Sequence, residues 1–175
     1  MALMLLALPS AAQARSCPGA DARPGVASPR ALERATACVI DAERRRRGRS
    51  ALRTTARLQR AARAHARDMV ARDYFAHLAP DGTRVSDRIR RTGYLRGVRA
   101  WHVGEVLAWG VGPRGSARAT VRAWLRSPPH RAVVLDRSFR DVGVAIVSGA
   151  PTSGRVRGAV TAVAVFGRRG WAPGG

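Results

Sequence analysis

Two segments near the end of the chain, residues 142–147 and 159–166, are apolar at almost every position. A strand with one face in water alternates apolar and polar residues, so strands without a polar face are predicted to be covered on both sides. The link between them, residues 148–154, is rich in Ser, Gly and Pro and favours a turn between antiparallel strands. With helices over both faces, the sequence predicts an α+β fold, a three-layer α-β-α sandwich around a central, mainly antiparallel sheet.

The covering helices are marked by capping residues and by apolar residues at helical spacing. Ser28-Pro29 begins a first helix and Gly48 ends it, and a second helix is predicted over residues 55–73. The apolar stripe of the second helix includes His65, which we assign to core packing because nothing else in that helix could share a ligand with it. A short helix over residues 86–91 and a longer one capped by Ser116 follow.

A Ser-Pro-Pro break after that helix predicts one more short helix. We expect the Ser127 hydroxyl to cap it, and Pro128 suits its first position because proline has no N–H to satisfy. His130 then lies in the first turn, where the positive end of the helix dipole disfavours a second positive charge. The imidazole is therefore expected to be neutral and able to bind a metal, although a lone histidine at such a position more often only fills space.

The N-terminal segment predicts export. Residues 1–14 contain a short apolar run and an Ala-Gln-Ala sequence typical of signal peptide cleavage, and no segment is long and apolar enough to span a bilayer. We therefore expect a secreted monomer, extracellular or periplasmic. In such a protein Cys17 and Cys38 are predicted to form a disulfide that tethers an N-terminal arm, residues 15–30, to the first helix. Residues 31–167 form one domain, and residues 168–175 are expected to be a loose tail.

The formal net charge of +21 suggests an anionic partner. All 32 basic residues are arginine, however, and they are spread through every segment rather than gathered in one stripe. The sequence has no recognisable nucleic-acid module and only 5% aromatic residues to stack on bases, so we predict no specific nucleic-acid partner. Attraction to anionic envelope polymers or lipid head groups stays open. We attribute the arginine run at 44–47 to the C-terminus of the first helix, where cations complement the dipole.

Two further polar residues stand out against apolar surroundings. In an extended segment over 101–109, Glu105 shares a face with Trp101 and Leu107, whereas His102 points to the opposite face. A buried carboxylate is costly, so Glu105 must either be protonated or meet a cation, a metal or a hydrogen-bond donor. His77 lies where the second helix gives way to a turn, a position at which binding side chains are commonly presented.

These residues carry a resemblance to a known family. The region 35–166 is similar to the secreted bacterial, SCP-like branch of the CAP superfamily, which comprises cysteine-rich secretory proteins, antigen 5 and pathogenesis-related 1 proteins. The motifs that carry it are Y-F-x-H before P-D-G, a G-E segment, W-x-x-S-x-x-H-R at 124–131 and F-x-x-x-G-V at 139–144. The resemblance implies the same sandwich fold and a cavity lined by His77, Glu105 and His130. The chain departs from the family pattern at Val106, where asparagine is usual, and at Ala119, where a second cavity glutamate is usual.

The chemistry of this set leaves two functions open. Two neutral imidazoles and a carboxylate suit a divalent metal such as zinc, although the three side chains can instead bond one another and hold the cavity wall without an ion. The missing second glutamate, which would be the fourth cavity residue, disfavours calcium and magnesium because these ions prefer several oxygen ligands. The first hypothesis is a binding module for an envelope component, a lipid or other apolar ligand, or a protein partner. The alternative is a zinc-dependent hydrolase, but Glu105 cannot easily be ligand and base together, and with no nucleophile elbow we assign no catalytic residue.

Overall fold

The computed structural model describes residues 16–170, so the predicted signal peptide, residues 1–14, and residues 171–175 lie outside the described residues. A short 3₁₀ turn, Gly112–Gly115, joins a strand to the helix that follows it. The helices are α1 (Pro29–Arg45), α2 (Ala56–Ala71), α3 (Val85–Arg91), α4 (Ala117–Arg126) and α5 (Pro128–Leu135), and the strands are β1 (Arg53–Thr54), β2 (Trp101–Val111), β3 (Asp141–Ser148) and β4 (Ala159–Arg169).

The strands form one sheet in the order β1-β3-β4-β2. The predicted hairpin is β3 with β4, and β2 adds to the other side of β4, also antiparallel. The short β1 is parallel to β3 and pairs at only two positions, Arg53 with Asp141 and Thr54 with Val142. The sheet is therefore mainly antiparallel, as predicted, and its two long edges are the outer side of β2 and the part of β3 that β1 does not reach.

Each face of the sheet packs against its own group of helices. One core joins residues of α1, α4 and α5 to the sheet around Trp124, Phe139 and Phe166. The other joins α2 and α3 to the opposite face around Leu58 and Met69. The three-layer sandwich is confirmed, and it explains why β3 and β4 are apolar on both faces. Within residues 16–170 no helix is long and apolar enough to cross a membrane.

The close approach of α2 to the sheet depends on a glycine. A Cβ atom on Gly143 would lie 2.1 Å from the backbone nitrogen of Gln59 and 2.2 Å from the carbonyl carbon of Leu58. Backbone atoms cannot move aside as a flexible side chain can. Helix α2 can therefore lie on β3 at this distance only because position 143 has no side chain.

The disulfide Cys17–Cys38 is present as predicted, but two local predictions are wrong. Residues 168–170 are not a loose tail, because β4 continues to Arg169 and the Gly170 N–H donates to the Ala100 carbonyl at 2.8 Å. The start of β2 gives these residues a pairing partner. Ser127 occupies the N-cap position of α5, but its hydroxyl does not cap the helix.

Candidate functional site at the edge of the sheet

The candidate site lies at β2, the edge strand. Because no strand of residues 16–170 pairs with the outer side of β2, side chains from the two helical layers can meet beyond it. Glu105 lies in the middle of β2 and faces the α2/α3 layer, together with Leu107. The loop after α2 brings His77, and the first turn of α5, in the opposite layer, brings His130. Three residues far apart in the sequence are thereby brought to one edge of the sheet.

Glu105 is a buried carboxylate with a complete set of partners. Its side chain is only 2% exposed, and Arg88, 5% exposed, donates from Nη2 to Oε1 at 3.1 Å and to Oε2 at 3.0 Å. The Nδ1 atom of His77 lies 2.9 Å from Oε1. Of the partners that the sequence left open for Glu105, the structure shows a cation, Arg88, and a hydrogen bond to His77. Sequence reasoning missed Arg88, because an arginine in a short, arginine-rich helix gives no sign of being buried.

The loop that carries His77 is held by side chains of the same cluster. The Nε2 atom of His65 lies 3.0 Å from the Ala76 carbonyl, and Arg88 Nη2 donates to the carbonyl of His77 at 3.0 Å. Since a carbonyl can only accept, the proton of His65 is on Nε2. Burial lowers the pKa of His65, so this side chain is a neutral donor at pH 7.

The position predicted for His65 is confirmed, since the residue is 1% exposed in the α2/α3 core. Its second role could not be read from the helical pattern, because it is a contact with a carbonyl eleven residues along the chain. On the other side of the ring, the Tyr74 hydroxyl lies 3.4 Å from Nδ1 and donates to Asp68. Burial raises the pKa of Tyr74, with the Asp68 carboxylate adding to the effect, so this phenol stays protonated and fixes the start of the loop.

His130 completes the site from the opposite layer. Its ring centroid lies 6.3 Å from that of His77, edge to face. Burial lowers the pKa of His130, and the neighbouring His77 lowers it further, so the imidazole is neutral at pH 7. The predicted neutral state agrees with this direction, and burial and the second histidine are its causes.

The far end of α5 is anchored by an arginine from α1. Arg44 is completely buried, and its Nη1 donates to the carbonyls of Val134 at 2.7 Å and Asp136 at 3.0 Å. Its Nε donates to the carbonyl of Ser50 at 2.9 Å. The prediction that Arg44 only complements the dipole of α1 is therefore incomplete. Arg44 also binds carbonyls at the C-terminal end of α5, and this contact helps to position the helix that presents His130.

The outer face of the site is open and partly apolar. The side chain of His77 is 54% exposed, and among the described residues its Nε2 has no hydrogen-bond partner. Two apolar neighbours in the same loop, Phe75 and Leu78, are 44% and 53% exposed. A ligand at this face would meet an imidazole nitrogen flanked by apolar surface, above a carboxylate that is already neutralised.

Comparison with known proteins shows which family this chain belongs to. Residues 39–166 match the family model described as CAP, the cysteine-rich secretory protein family. The chain belongs to the CAP family. It is 29% identical over 117 residues to the uncharacterized protein YkwD of Bacillus subtilis, a match that covers 67% of this chain and 43% of that protein. The chain thus spans less than half the length of this relative.

Solved structures show the same CAP fold. An extracellular protein containing an SCP domain from Bacillus anthracis superposes with a TM-score of 0.62 at 20% identity, over 80% of this chain and 43% of that one. An outer surface protein of Borrelia burgdorferi gives a TM-score of 0.62 at 21% identity, over 76% of this chain and 89% of that one. At these identities the likeness concerns the fold, and both neighbours are described as located outside the cell.

The two departures from the CAP pattern remove polar groups. Val106, in the place usual for asparagine, is completely buried in the α1/α4/α5 core, where an apolar side chain needs no partner. Ala119 is a half-buried residue of α4 and supplies no carboxylate. His102 lies on the opposite face from Glu105, as predicted, where it stacks on Phe139 with 4.6 Å between ring centroids.

The two histidines of the site lie near the separation that a shared metal ion requires. Zinc–nitrogen bonds of about 2.0–2.1 Å place the centroids of two imidazoles that share an ion about 5–6 Å apart. The 6.3 Å between His77 and His130 is close to this range. Among residues 16–170, however, no group of three or more His, Cys, Asp or Glu side chains is arranged to hold a metal. Glu105 is bound to Arg88 instead, and zinc binding by His77, Glu105 and His130 stays a prediction.

Proposed function

We propose that this CAP domain is exported and acts as a binding module, and that it takes an apolar or amphipathic component of the cell envelope at the open face beside His77. Export is supported by the disulfide and by two solved neighbours described as extracellular or outer surface proteins. The disulfide is in keeping with an oxidising compartment.

The observation that carries the proposal is the state of Glu105. Its carboxylate accepts hydrogen bonds from both Arg88 and His77, so neither oxygen is free to act as a general base without breaking a buried ion pair. The groups that remain available at the surface are the His77 imidazole and the side chains of Phe75 and Leu78. These suit contact with a ligand that has an apolar part and one hydrogen-bonding group.

A fluorescence titration with a dansyl-labelled fatty acid tests the proposal. The double variant Phe75→Ser/Leu78→Ser is expected to weaken binding at least about tenfold, because covering some 60 Å² of apolar surface per side chain contributes about 1.5 kcal/mol each at 25 cal/mol per Å². Val26→Ser is the matched control, since Val26 is 85% exposed in the N-terminal arm. Binding would lie elsewhere if the double variant bound the fatty acid as tightly as the wild type. The same conclusion would follow if the double variant and Val26→Ser lost affinity equally.

The zinc-dependent hydrolase is the second candidate, favoured by the neutral His130 and its distance from His77. Zinc would supply a Lewis acid, and the two imidazoles would hold it. The test is calorimetric titration with zinc, comparing His77→Ala and His130→Ala with His102→Ala as the control. Zinc affinity that is the same in all four proteins removes this candidate, and ester hydrolysis that survives Glu105→Gln removes the role of Glu105 as base.

A further inference from the structure

A second groove lies at the other edge of the sheet, next to β3. Since β1 pairs with β3 only up to Val142, the outer edge of β3 continues without a strand partner in the part of the chain that the structure describes. Side chains of the two flanking helices take that place. Gln59 of α2 donates to the Val144 carbonyl at 3.2 Å, and Glu33 of α1 accepts from the Ile146 N–H at 3.0 Å. Helices α1 and α2 stand on either side of this edge and enclose a cleft of about 740 Å³.

The walls of this cleft, which we call the α1/α2 cleft, carry two pairs of arginines. Arg30 and Arg34 line it from α1, and Arg63 and Arg67 line it from α2. The acidic lining residue is Glu33, which is 4% exposed and bound by Arg63 Nη2 at 2.8 Å. Four arginines and one glutamate give the lining a formal charge of +3.

Three of these arginines are available to a ligand. Within residues 16–170, Arg30, Arg34 and Arg67 have no hydrogen-bond or ion-pair partner, and all three are exposed. The basic groove between α1 and α4 differs on its α1 wall, where Arg46 and Arg47 are bound by Glu43. Arg118 is bound by Asp21, whereas three further lining arginines have no hydrogen-bond or ion-pair partner within residues 16–170: Arg122, Arg126 and Arg131. The α1/α2 cleft is thus a concave region whose positive charge is largely uncompensated.

The spacing and shape indicate the kind of ligand. Residues four apart on a helix lie about 5–6 Å apart at Cβ, so each wall presents two guanidinium groups in a row along the cleft. Guanidinium groups bind phosphate oxygens in a bidentate manner. A groove with charges along both walls fits a thread-like anion better than a flat membrane surface. Its lining contains no aromatic side chain on which bases could stack.

We propose that the α1/α2 cleft binds a linear polymer of phosphate groups, at the opposite edge of the sheet from the site beside His77. The charge of the whole protein would attract any polyanion without preference for a face. The cleft adds a defined location, because unpaired arginines line both its α1 wall and its α2 wall.

The test is fluorescence anisotropy with labelled inorganic polyphosphate at several salt concentrations. The variant Arg30→Gln/Arg34→Gln/Arg67→Gln keeps Arg63, so that the buried Glu33 stays paired. The control variant is Arg99→Gln/Arg155→Gln/Arg157→Gln, which removes the same charge from exposed positions elsewhere. Urea unfolding midpoints of both variants establish that they are folded.

Each phosphate contact on a flexible strand contributes about 0.7 to the slope of log K against log salt, so the cleft variant should lose about 2 from that slope. Its affinity should fall at least about tenfold, and the control variant should change the slope by less than about 1. Equal losses in the two variants would overturn the proposal, since binding would then follow net charge alone. Tighter binding of single-stranded DNA, of anionic vesicles or of free inorganic phosphate than of polyphosphate would overturn the choice of ligand.

The outcome is independent of the proposed function. Phe75→Ser/Leu78→Ser should leave polyphosphate binding unchanged, because these residues do not line the cleft. The cleft variant should likewise keep its affinity for the dansyl-labelled fatty acid. A loss of polyphosphate binding in the Phe75→Ser/Leu78→Ser variant would refute a separate site at the α1/α2 cleft.

Discussion

The ion pair between Arg88 and Glu105 gives a quantitative test of how the site is held together. Both side chains are almost completely buried, at 5% and 2% exposure. Removing one partner of a buried pair leaves the other as an uncompensated charge and costs about 3–5 kcal/mol. We therefore expect Arg88→Met and Glu105→Gln each to lower the free energy of unfolding by about 3–5 kcal/mol.

The double variant measures the coupling. If the two side chains are partners, Arg88→Met/Glu105→Gln should be less destabilised than the sum of the single variants by about 2–3 kcal/mol. Part of the Arg88→Met cost will persist in the double variant, because Arg88 also donates to the carbonyls of Thr83 and His77 at 3.0 Å. Urea unfolding at pH 7, followed by tryptophan fluorescence with the disulfide intact, gives all four free energies.

The result that would refute this reasoning is additivity. A coupling free energy below about 0.5 kcal/mol is within the range seen for independent sites, and it would mean that Glu105 is stabilised without Arg88. A metal at Glu105 would be one such stabiliser. The same four proteins should therefore be measured with and without a chelator, and a chelator-dependent loss in wild type alone would contradict a site built on the ion pair.

Three further outcomes are expected from the fold. Burial lowers the pKa of His65 in the folded protein, so below about pH 6.5 the unfolded chain binds more protons than the folded one. The free energy of unfolding should therefore fall from pH 7 to pH 5, and His65→Gln should make this decrease smaller. Cys17→Ser/Cys38→Ser should lower the free energy of unfolding by about 3 kcal/mol, the chain-entropy value for a loop of this length. Gly143→Ala should cost more than about 3 kcal/mol by thermal or urea unfolding, because the new Cβ would meet the backbone of α2.

Each of these outcomes has a contrary result. A pH profile that is equally steep in His65→Gln would mean that other groups dominate acid sensitivity. Unchanged stability after loss of the disulfide would show that the N-terminal arm is held by its other contacts, such as the ion pair of Asp21 with Arg118. A Gly143→Ala protein with wild-type stability would show that α2 can move away from β3 without loss.

Local features were predictable because their causes are local. Ser28 caps α1, in agreement with the helix start predicted at Ser28-Pro29. Thr55, predicted as the first residue of the second helix, is its N-cap, and α2 ends at Ala71 rather than at residue 73. The apolar runs at 142–147 and 159–166 became the doubly covered strands of the hairpin. Ser127 occupies the N-cap position of α5 but its hydroxyl makes no cap hydrogen bond, and Pro128 and Pro129 leave the first two helical positions without an N–H to donate.

The candidate site was predictable only in part. The alternation of β2 placed Glu105 in a buried row and His102 on the other face, and both positions are confirmed. The sequence could not predict that Arg88 is the partner of Glu105, because Arg88 is one of 32 arginines and its neighbours in the sequence do not distinguish it. Arg44 is a similar case, since its contacts with the end of α5 lie 90 and 92 residues away in the sequence.

The sequence by itself determined which segments are helical or extended, that the sheet has no polar face and that one carboxylate must be buried. These properties follow from side-chain periodicity and capping, which act within one element. Only the tertiary structure decided that Arg88 neutralises Glu105, that His130 reaches His77 across the edge strand, and that four arginines face each other over β3. Such pairings depend on distances between elements, and the packing of a whole chain sets those distances.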